Sequence, residues 1–461
     1  MISPQELIER ITAAADYDDC IVVVEAKTQA NLRWARSTLT TNGVIEDQSV
    51  TVIAFISVKG GMATGSITRT NVTSDEIASI AKEAGLVART AGAADDEAPL
   101  VREKTYGEWN SPHPATGPGV FAAFAPNLGD LFVKSKSDYI ELFGYAEHNH
   151  VTTWVGSKGG LRLRHDQPSG RLGMTGKSHD RSRSTWEGRA TRDFRDVDLA
   201  GVDAGIRQRL NWQAHASTMA AGRYQTVVPA GGVADLLSYL LGTSAARDAA
   251  EGRSVYAKKD ELGKTRFGEV LSNLPIDIYS DPTKKGLECS PFNVATSSGA
   301  FSSVFDTGVP QERWNFIQEG KLSGLIAPRY VSAKTGVPYS AGGDNVIMEL
   351  PGATGDLNSQ IAKVESGLLL TTLWYIRMVD PVTSLLTGLT RDGVYEIRHG
   401  EVVGAVNNFR WNESPVELLS RISSTGGSEI TATREVEELA RTQAPAVIFE
   451  EFNMSTVSQA N

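Results

Sequence analysis

Seven histidines and two cysteines bound any metal or nucleophile chemistry in this 461-residue chain. A zinc-hydrolase helix needs two histidines on one face and a glutamate beside them to deprotonate the metal-bound water. None of His113, His148, His150, His165, His179, His215 and His399 is followed by Glu, so that helix motif is missing. Glu147-His148-Asn149-His150 is the one local arrangement suited to a metal. Residues two apart share a strand face, so His148 and His150 can meet one ion, with His165 or His179 from a neighbouring hairpin as a third donor. On spacing alone, the plainer reading of an exposed polar strand face is favoured.

The nucleophile motifs are weaker. Val155-Gly156-Ser157-Lys158-Gly159 lacks the first glycine of a strained strand-to-helix elbow and reads as a hairpin turn. Gly263-Lys264-Thr265 resembles the end of a phosphate loop, but Lys258 stands where the first glycine is required. Cys289 lies in a loop before Ser290-Pro291, and a reactive thiol needs a depressed pKa that sequence does not reveal. Residues 161–195 carry nine basic side chains (Arg162, Arg164, Arg171, Lys177, Arg181, Arg183, Arg189, Arg192, Arg195) against four acidic ones. Such a stripe, with Trp154 and Trp186 as stacking platforms, is the only candidate nucleic-acid surface. A solvated strand face explains it as well, and the formal charge of −10 argues against nucleic acid for the chain as a whole.

The elements that must position these residues follow from pattern. Ser3-Pro4-Gln5-Glu6 is a capping box opening a helix with Leu7, Ile8 and Ile11 on one face. Cys20–Val24, Asn31–Thr38 and Val50–Val58 read as strands, with another running through Thr70. Thr73-Ser74-Asp75-Glu76 caps a second helix bearing Ile77, Ile80, Ala81 and Ala84. Residues 91–117 are linker-like, and a helix is expected near Gly119–Ser135. From Tyr139 to Arg195, alternation broken by Gly and Ser predicts antiparallel hairpins. Beyond a boundary near 200–222, Tyr224–Pro229 is a strand and Val233–Leu241 a helix stopped by Gly242. Helices near Leu357–Val364 and after Ser414-Pro415-Val416-Glu417, the latter carrying Leu418, Leu419 and Ile422, sit among short strands and glycine-rich turns. The fold class is α+β: an N-terminal mixed domain over 1–210, including the β-rich basic region 139–195, and a C-terminal domain over 222–461 dominated by antiparallel sheet.

Composition adds the compartment. Two cysteines cannot frame a disulfide scaffold and fit a reducing environment. The N-terminus lacks the basic and apolar regions of a signal peptide, and no stretch reaches the roughly 18 apolar residues of a membrane helix. A cytoplasmic protein is expected.

The C-terminal half resembles the TldD/PmbA family, whose members were once called modulators of DNA gyrase. The resemblance rests on Gly320-Lys321-Leu322-Ser323-Gly324-Leu325, on Gly342-Gly343-Asp344-Asn345-Val346-Ile347-Met348-Glu349-Leu350 and on Thr387-Gly388-Leu389-Thr390-Arg391-Asp392-Gly393-Val394-Tyr395-Glu396-Ile397. Gly400–Val406 and Asn407-Asn408-Phe409-Arg410 complete the set. The N-terminal half matches in its order of elements, so the resemblance covers nearly the whole chain. In this family the TldD-type subunit places His-Glu and a second His four residues on in a helix after a Val-Val strand, with a further Cys near the C-terminus. Laid on this chain, those positions hold Ser238, Tyr239 and Thr243, and Ala444–Asn461 contains no Cys. No His occurs from 216 to 398, so a slipped alignment does not restore the motif.

The resemblance therefore implies the TldE/PmbA type: no catalytic residue, metal or cofactor in this chain, and zinc in a TldD-type partner. It implies a heterodimeric metallopeptidase acting on unfolded peptides, in which this subunit shapes the chamber and its access. A homodimer, a self-sufficient hydrolase using His148 and His150, and a gyrase-associated regulator acting through 161–195 are the rival expectations.

Overall fold

The computed structural model describes residues 2–261, 263–435 and 441–459. Ser3 opens α1 (Pro4–Ala14), its hydroxyl accepting the Glu6 N–H at 3.2 Å, and Leu7, Ile8 and Ile11 are buried. The segments expected as separate strands at 20–24 and 31–38 lie in one continuous strand, β1 (Asp19–Ala35). Glu25–Ala30 contains no Gly, Pro or Asn, and its alternation continues, so nothing there turns the chain. β2 (Thr38–Val58) returns antiparallel along β1, and β3 (Gly61–Thr70) pairs with the far half of β2. Glu76 accepts the Thr73 N–H at 2.8 Å and its hydroxyl at 2.7 Å ahead of α2 (Ile77–Thr90). Then come β4 (Thr105–Tyr106), α3 (Phe124–Ser137), β5 (Ile140–Ser157), β6 (Arg162–Ser178), β7 (Ser184–Thr191) and α4 (Leu199–Trp212). The sheet order is β3-β2-β1-β5-β6-β4, with β7 also on β6.

Period-two alternation gives this sheet two distinct faces. Cys20, Val22, Val24 and Ala26 pack under α1 and α2, while Ala30, Leu32 and Trp34 pack under α3 and α4. All four helices thus cover one face. On the other, Ile21, Val23, Ile53, Phe55, Val155 and Leu163 meet Phe292, Val304 and Phe305 of the C-terminal half. Phe305 stands edge-on to Phe55, centroids 5.2 Å apart, and Ser303 donates to the buried Asp96 carboxylate at 2.7 Å. The rest of that face, through Glu25, Lys27, Gln29, Asn31 and Arg33, is polar and reached by solvent. Of residues 91–117, Ala94, Ala98, Leu100 and Val101 pack on the side facing the C-terminal half, and 109–117 form a strap on the helix-bearing face, tied by Thr116 N–H to Thr28 at 2.9 Å and by His113 to Thr152 at 2.7 Å.

The C-terminal half continues with β8 (Ala216–Ser217), β9 (Gly222–Val228), α5 (Ala230–Leu241), α6 (Ala246–Ala250), β10 (Asp277–Ser280), β11 (Trp314–Gln318), β12 (Lys321–Leu322), α7 (Arg329–Thr335), β13 (Asn345–Glu349) and α8 (Leu357–Ile361). It ends with β14 (Ser366–Leu370), β15 (Trp374–Asp380), β16 (Leu385–Leu389), β17 (Val394–Arg398), β18 (Glu401–Val406), β19 (Phe409–Glu413), α9 (Pro415–Ser420), β20 (Ile422–Thr431) and β21 (Arg441–Val457). The sheet runs β12-β11-β10-β13-β21-β9-β14-β17-β18-β8, and β15, β16, β19 and β20 branch from β21. Most pairs are antiparallel; β13–β21, β14–β9 and β18–β8 are parallel. The largest core packs α5 and α9 against this sheet around Leu236, Leu240, Phe316, Trp411 and Phe452. Ile422, expected on the last helix, starts β20 instead, because α9 closes at Ser420. No helix among the described residues is long and apolar enough to cross a membrane.

Candidate functional site

β9 delivers the chain to α5, whose Val233, Leu236, Leu237 and Leu240 face the core. Asp235 is also buried and accepts the backbone N–H groups of Arg434 and Glu435, each at 3.0 Å, pinning the loop before residue 436 to this helix. The three resemblance positions lie near the helix C-terminus and share one property. Ser238 Oγ donates to Ala234 O at 3.1 Å, Tyr239 Oη to Ile376 O at 3.2 Å, and Thr243 Oγ1 to Leu240 O at 3.2 Å. Zinc takes imidazole, thiolate or carboxylate donors, and these are neutral hydroxyls committed to main-chain carbonyls. The residues here do not fit a zinc ion.

Beside Ser238, Leu241 and Gly242 opens a cavity of about 380 Å³. Its walls are Tyr279, Trp314, Phe316, Phe301, Ile326 and Val346, with Ser280, Asn345 and the Gly342-Gly343 turn. A Cβ on Gly343 would lie 1.8 Å from Ser280 Oγ, so only glycine allows the turn to approach this wall. The polar groups are spent: Ser280 Oγ donates to Asn345 Oδ1 at 2.8 Å, and Asn345 Nδ2 donates to Asp281 O and Leu287 O. The interior is accordingly apolar.

Glu25, Thr153 and His165 form one cross-strand row on the polar face of the first sheet, and Asp344 of the C-terminal half interacts with His165. Solvent reaches Glu25 and Asp344, yet protein encloses both, and that loss of bulk water raises both carboxyl pKa values. Sequence reasoning missed Glu25, Asp344 and the aromatic wall. The Gly342-Gly343-Asp344 turn was a visible signal, whereas Glu25 sits in a plain strand.

The candidate metal pair is not assembled. His148 and His150 do share a face of β5, but His148 spends both ring nitrogens, on Thr116 Oγ1 at 2.7 Å and Arg192 O at 2.8 Å. His165 points to the opposite face, and His179 lies past the end of β6 against the Tyr139 ring. His150 instead meets His113 from the strap, ring centroids 5.7 Å apart. Among the described residues, no group of three or more His, Cys, Asp or Glu is placed to hold a metal ion.

Nor do the basic residues of 161–195 form one stripe. Arg164 and Arg171 fall on opposite faces of β6 because their numbers differ by an odd count. Arg162 pairs with Glu9, Arg164 with Asp166, Arg181 with Glu141, Arg189 with Glu187 and Arg192 with Glu288. Trp154 is 1% exposed and Trp186 lies under Arg434, so neither offers a free stacking face. Cys289 is buried, and burial pushes its thiol up to about 12, the opposite of a reactive cysteine.

Two antiparallel-rich sheets, with a helix after β9 flanking the cavity, make up an α+β fold. The profile of the PmbA/TldA metallopeptidase C-terminal domain matches residues 221–456, and the chain belongs to that family. Similar solved structures include TldE from Thermococcus kodakarensis, with TM-score 0.78, 16% identity and 97% of this chain and 99% of that one covered. A protein described as a modulator of DNA gyrase from Thermotoga maritima gives TM-score 0.75 at 16% identity, covering 98% and 100%. Another so described, from Bacteroides thetaiotaomicron, gives 0.74 at 14%, covering 99% and 100%. At these identities the likeness concerns the fold. Among curated proteins none matches the chain by sequence.

Proposed function

We propose that this chain is the zinc-motif-less subunit of a cytoplasmic TldD/TldE-type metallopeptidase. A TldD-type partner carries the zinc and the general base, and this chain shapes the chamber and the access of unfolded peptides. One observation carries the reading: at the helix where the family motif would stand, Ser238, Tyr239 and Thr243 are neutral hydroxyls bonded to main-chain carbonyls, in place of imidazole and carboxylate. The cavity beside them offers a surface for an extended chain, which strand edges and pockets bind with little demand on sequence. The self-sufficient hydrolase and the gyrase regulator lose their support with the pairing of His148 and of the basic residues.

The test is native mass spectrometry of the tagged chain drawn from its own cells, with zinc counted per subunit. One similarly sized second chain carrying the zinc supports the proposal. A homodimer without a second chain, or stoichiometric zinc in this chain alone, overturns it.

A further inference from the structure

One edge of the first sheet is half open. β2 runs along β1 over its whole length, but β3 covers only Ser49–Val58 of it. Two features bound the uncovered part. At Gln48 the outward main chain is taken: Asn71 N–H donates to Gln48 O at 2.7 Å, and Gln48 N–H donates to Asn71 Oδ1 at 3.4 Å. At the other end Thr40 is an extra residue, since Arg33 pairs with Thr41 and Trp34 with Leu39, and this bulge interrupts the ladder. Between them Thr41–Asp47 keeps an unbroken register on β1. The direction of the main-chain groups alternates along a strand, so the N–H and C=O of Asn42, Val44 and Glu46 point outward as those of Gln48 do. Among the described residues, no strand and no loop pairs with them. Lysine and proline are common guards of such an edge, and this window has neither; its charges, Glu46 and Asp47, lie at one end. It exposes Val44 at 47% and Ile45 at 54%.

The window is centred on Val44, and a second copy fits it about a two-fold axis there. Antiparallel pairing on that axis sets Val44 against Val44, Asn42 against Glu46, Gly43 against Ile45 and Thr41 against Asp47. The apolar pair falls on the axis, Ile45 meets a residue without a side chain, and each carboxylate faces an amide or a hydroxyl. The two Glu46 residues stand four places apart along the ladder, roughly 14 Å, beyond the screening length of about 8 Å at physiological salt. Moving the axis to Gly43 sets Val44 against Asn42, and moving it to Ile45 sets Val44 against Glu46, so the match is lost either way. A lone peptide would have to be ordered to lie on this edge, whereas β2 of a second copy is already held extended by its own β1.

We propose that Thr41–Asp47 of β2 pairs antiparallel with the same segment of a second copy of this chain, joining two first sheets edge to edge about an axis at Val44. The proposal goes beyond the subunit assignment: with a TldD-type partner it predicts two copies of each chain in the complex.

The test is sedimentation velocity of the full chain, from dilute solution up to its solubility limit. The parent is expected to pass from monomer to dimer as concentration rises. Val44→Lys and Val44→Glu change an exposed side chain and set like charges against each other on the axis. Each should raise the dissociation constant about fivefold or more while leaving the melting temperature unchanged. Mixed in equal amounts, the two variants should dimerise at least as tightly as the parent, because Lys then faces Glu. A parent that stays monomeric, a Val44→Lys chain that dimerises like the parent, or a mixture that does not associate overturns the proposal. A monomeric parent that binds a fluorescent peptide of the Thr41–Asp47 sequence overturns it in favour of a strand-adding peptide. Dimerisation that is lost in Val44→Lys, with no TldD-type partner recovered from cells, leaves this interface standing while the subunit assignment fails.

Discussion

Acidification acts on three imidazoles between the strap and β5. Burial holds His150 down at about 4 and also lowers His113 and His148. Free imidazole titrates near 6.5, so as pH falls the unfolded chain takes up protons before the folded one. The stability these neutral rings contribute is complete above about pH 6.5 and is lost as pH falls toward 4. Asp166 opposes the loss, favouring protonated His150 and His113, as does Glu46 for His113; Arg164 acts against the protonated form of both rings, and His148 against that of His150. For His150 alone, pKa values of about 4 and 6.5 amount to roughly 2 kcal/mol at pH 5. The ring is only half enclosed, and screening reduces this to about 1 kcal/mol, or about a fivefold faster opening of the strap from the sheet. Hydrogen exchange of residues 105–117 and 148–154 at pH 7.5 and 5.0, corrected for intrinsic rates, measures that opening. His150→Gln should flatten the pH dependence. An unchanged dependence in that variant refutes the assignment to this ring.

Other expectations follow from particular contacts. Arg421 grips the nearly buried Glu413 carboxylate, so Arg421→Ala should cost about 3 kcal/mol in urea unfolding by stranding that charge. Adding Glu413→Gln should recover part of the loss, and simple additivity of the two changes would refute the coupling. Gly388→Ala places a Cβ within 2.4 Å of the buried Trp411 ring and should lower the urea midpoint by an amount equivalent to about 1–3 kcal/mol; an unchanged midpoint counts against that packing. The Phe55–Phe305 pair joins the two halves, and a double-mutant cycle with leucine should return about 0.5–1.5 kcal/mol of coupling, whereas a value near zero would deny the contact. Both thiols are raised to about 12 by burial, so a thiol reagent at pH 8 should label neither Cys20 nor Cys289 until the chain is denatured. Labelling of the native chain would refute that environment.

Much of the scaffold was legible because its signals are local. Ser3-Pro4-Gln5-Glu6 set a helix start, Gly156–Gly159 a hairpin turn, and the alternation of 139–195 antiparallel hairpins. The length of β1 was not, because the exposed charges of Glu25 and Lys27 look like a strand end, while the burial of Ala26 between them comes from helices elsewhere in the chain. Residues 91–117 read as a linker since their anchors are distant: Phe305 and Ser303 of the C-terminal half for 94–101, and the Thr28 and Thr152 hydroxyls for the strap at 109–117. The site divided the same way. Ser238, Tyr239 and Thr243 could be placed through the resemblance, but their acceptors, such as Ile376 O, come from the fold. His148 and His150 share a face as their spacing requires, and spacing carries no information about Thr116 or the Arg192 carbonyl that occupy His148. The aromatic cavity draws on residues from 238 to 346, a separation over which periodicity says nothing.

The closed hydrogen bonding of α5 has a consequence for how this chain is made. Metal-dependent subunits gain stability from the ion they bind, so their yield varies with its supply. Here every hydroxyl at the corresponding positions finds its acceptor within the same polypeptide, and this helix needs nothing from outside to be complete. Folding of this helix therefore does not wait on a metal ion at those three positions.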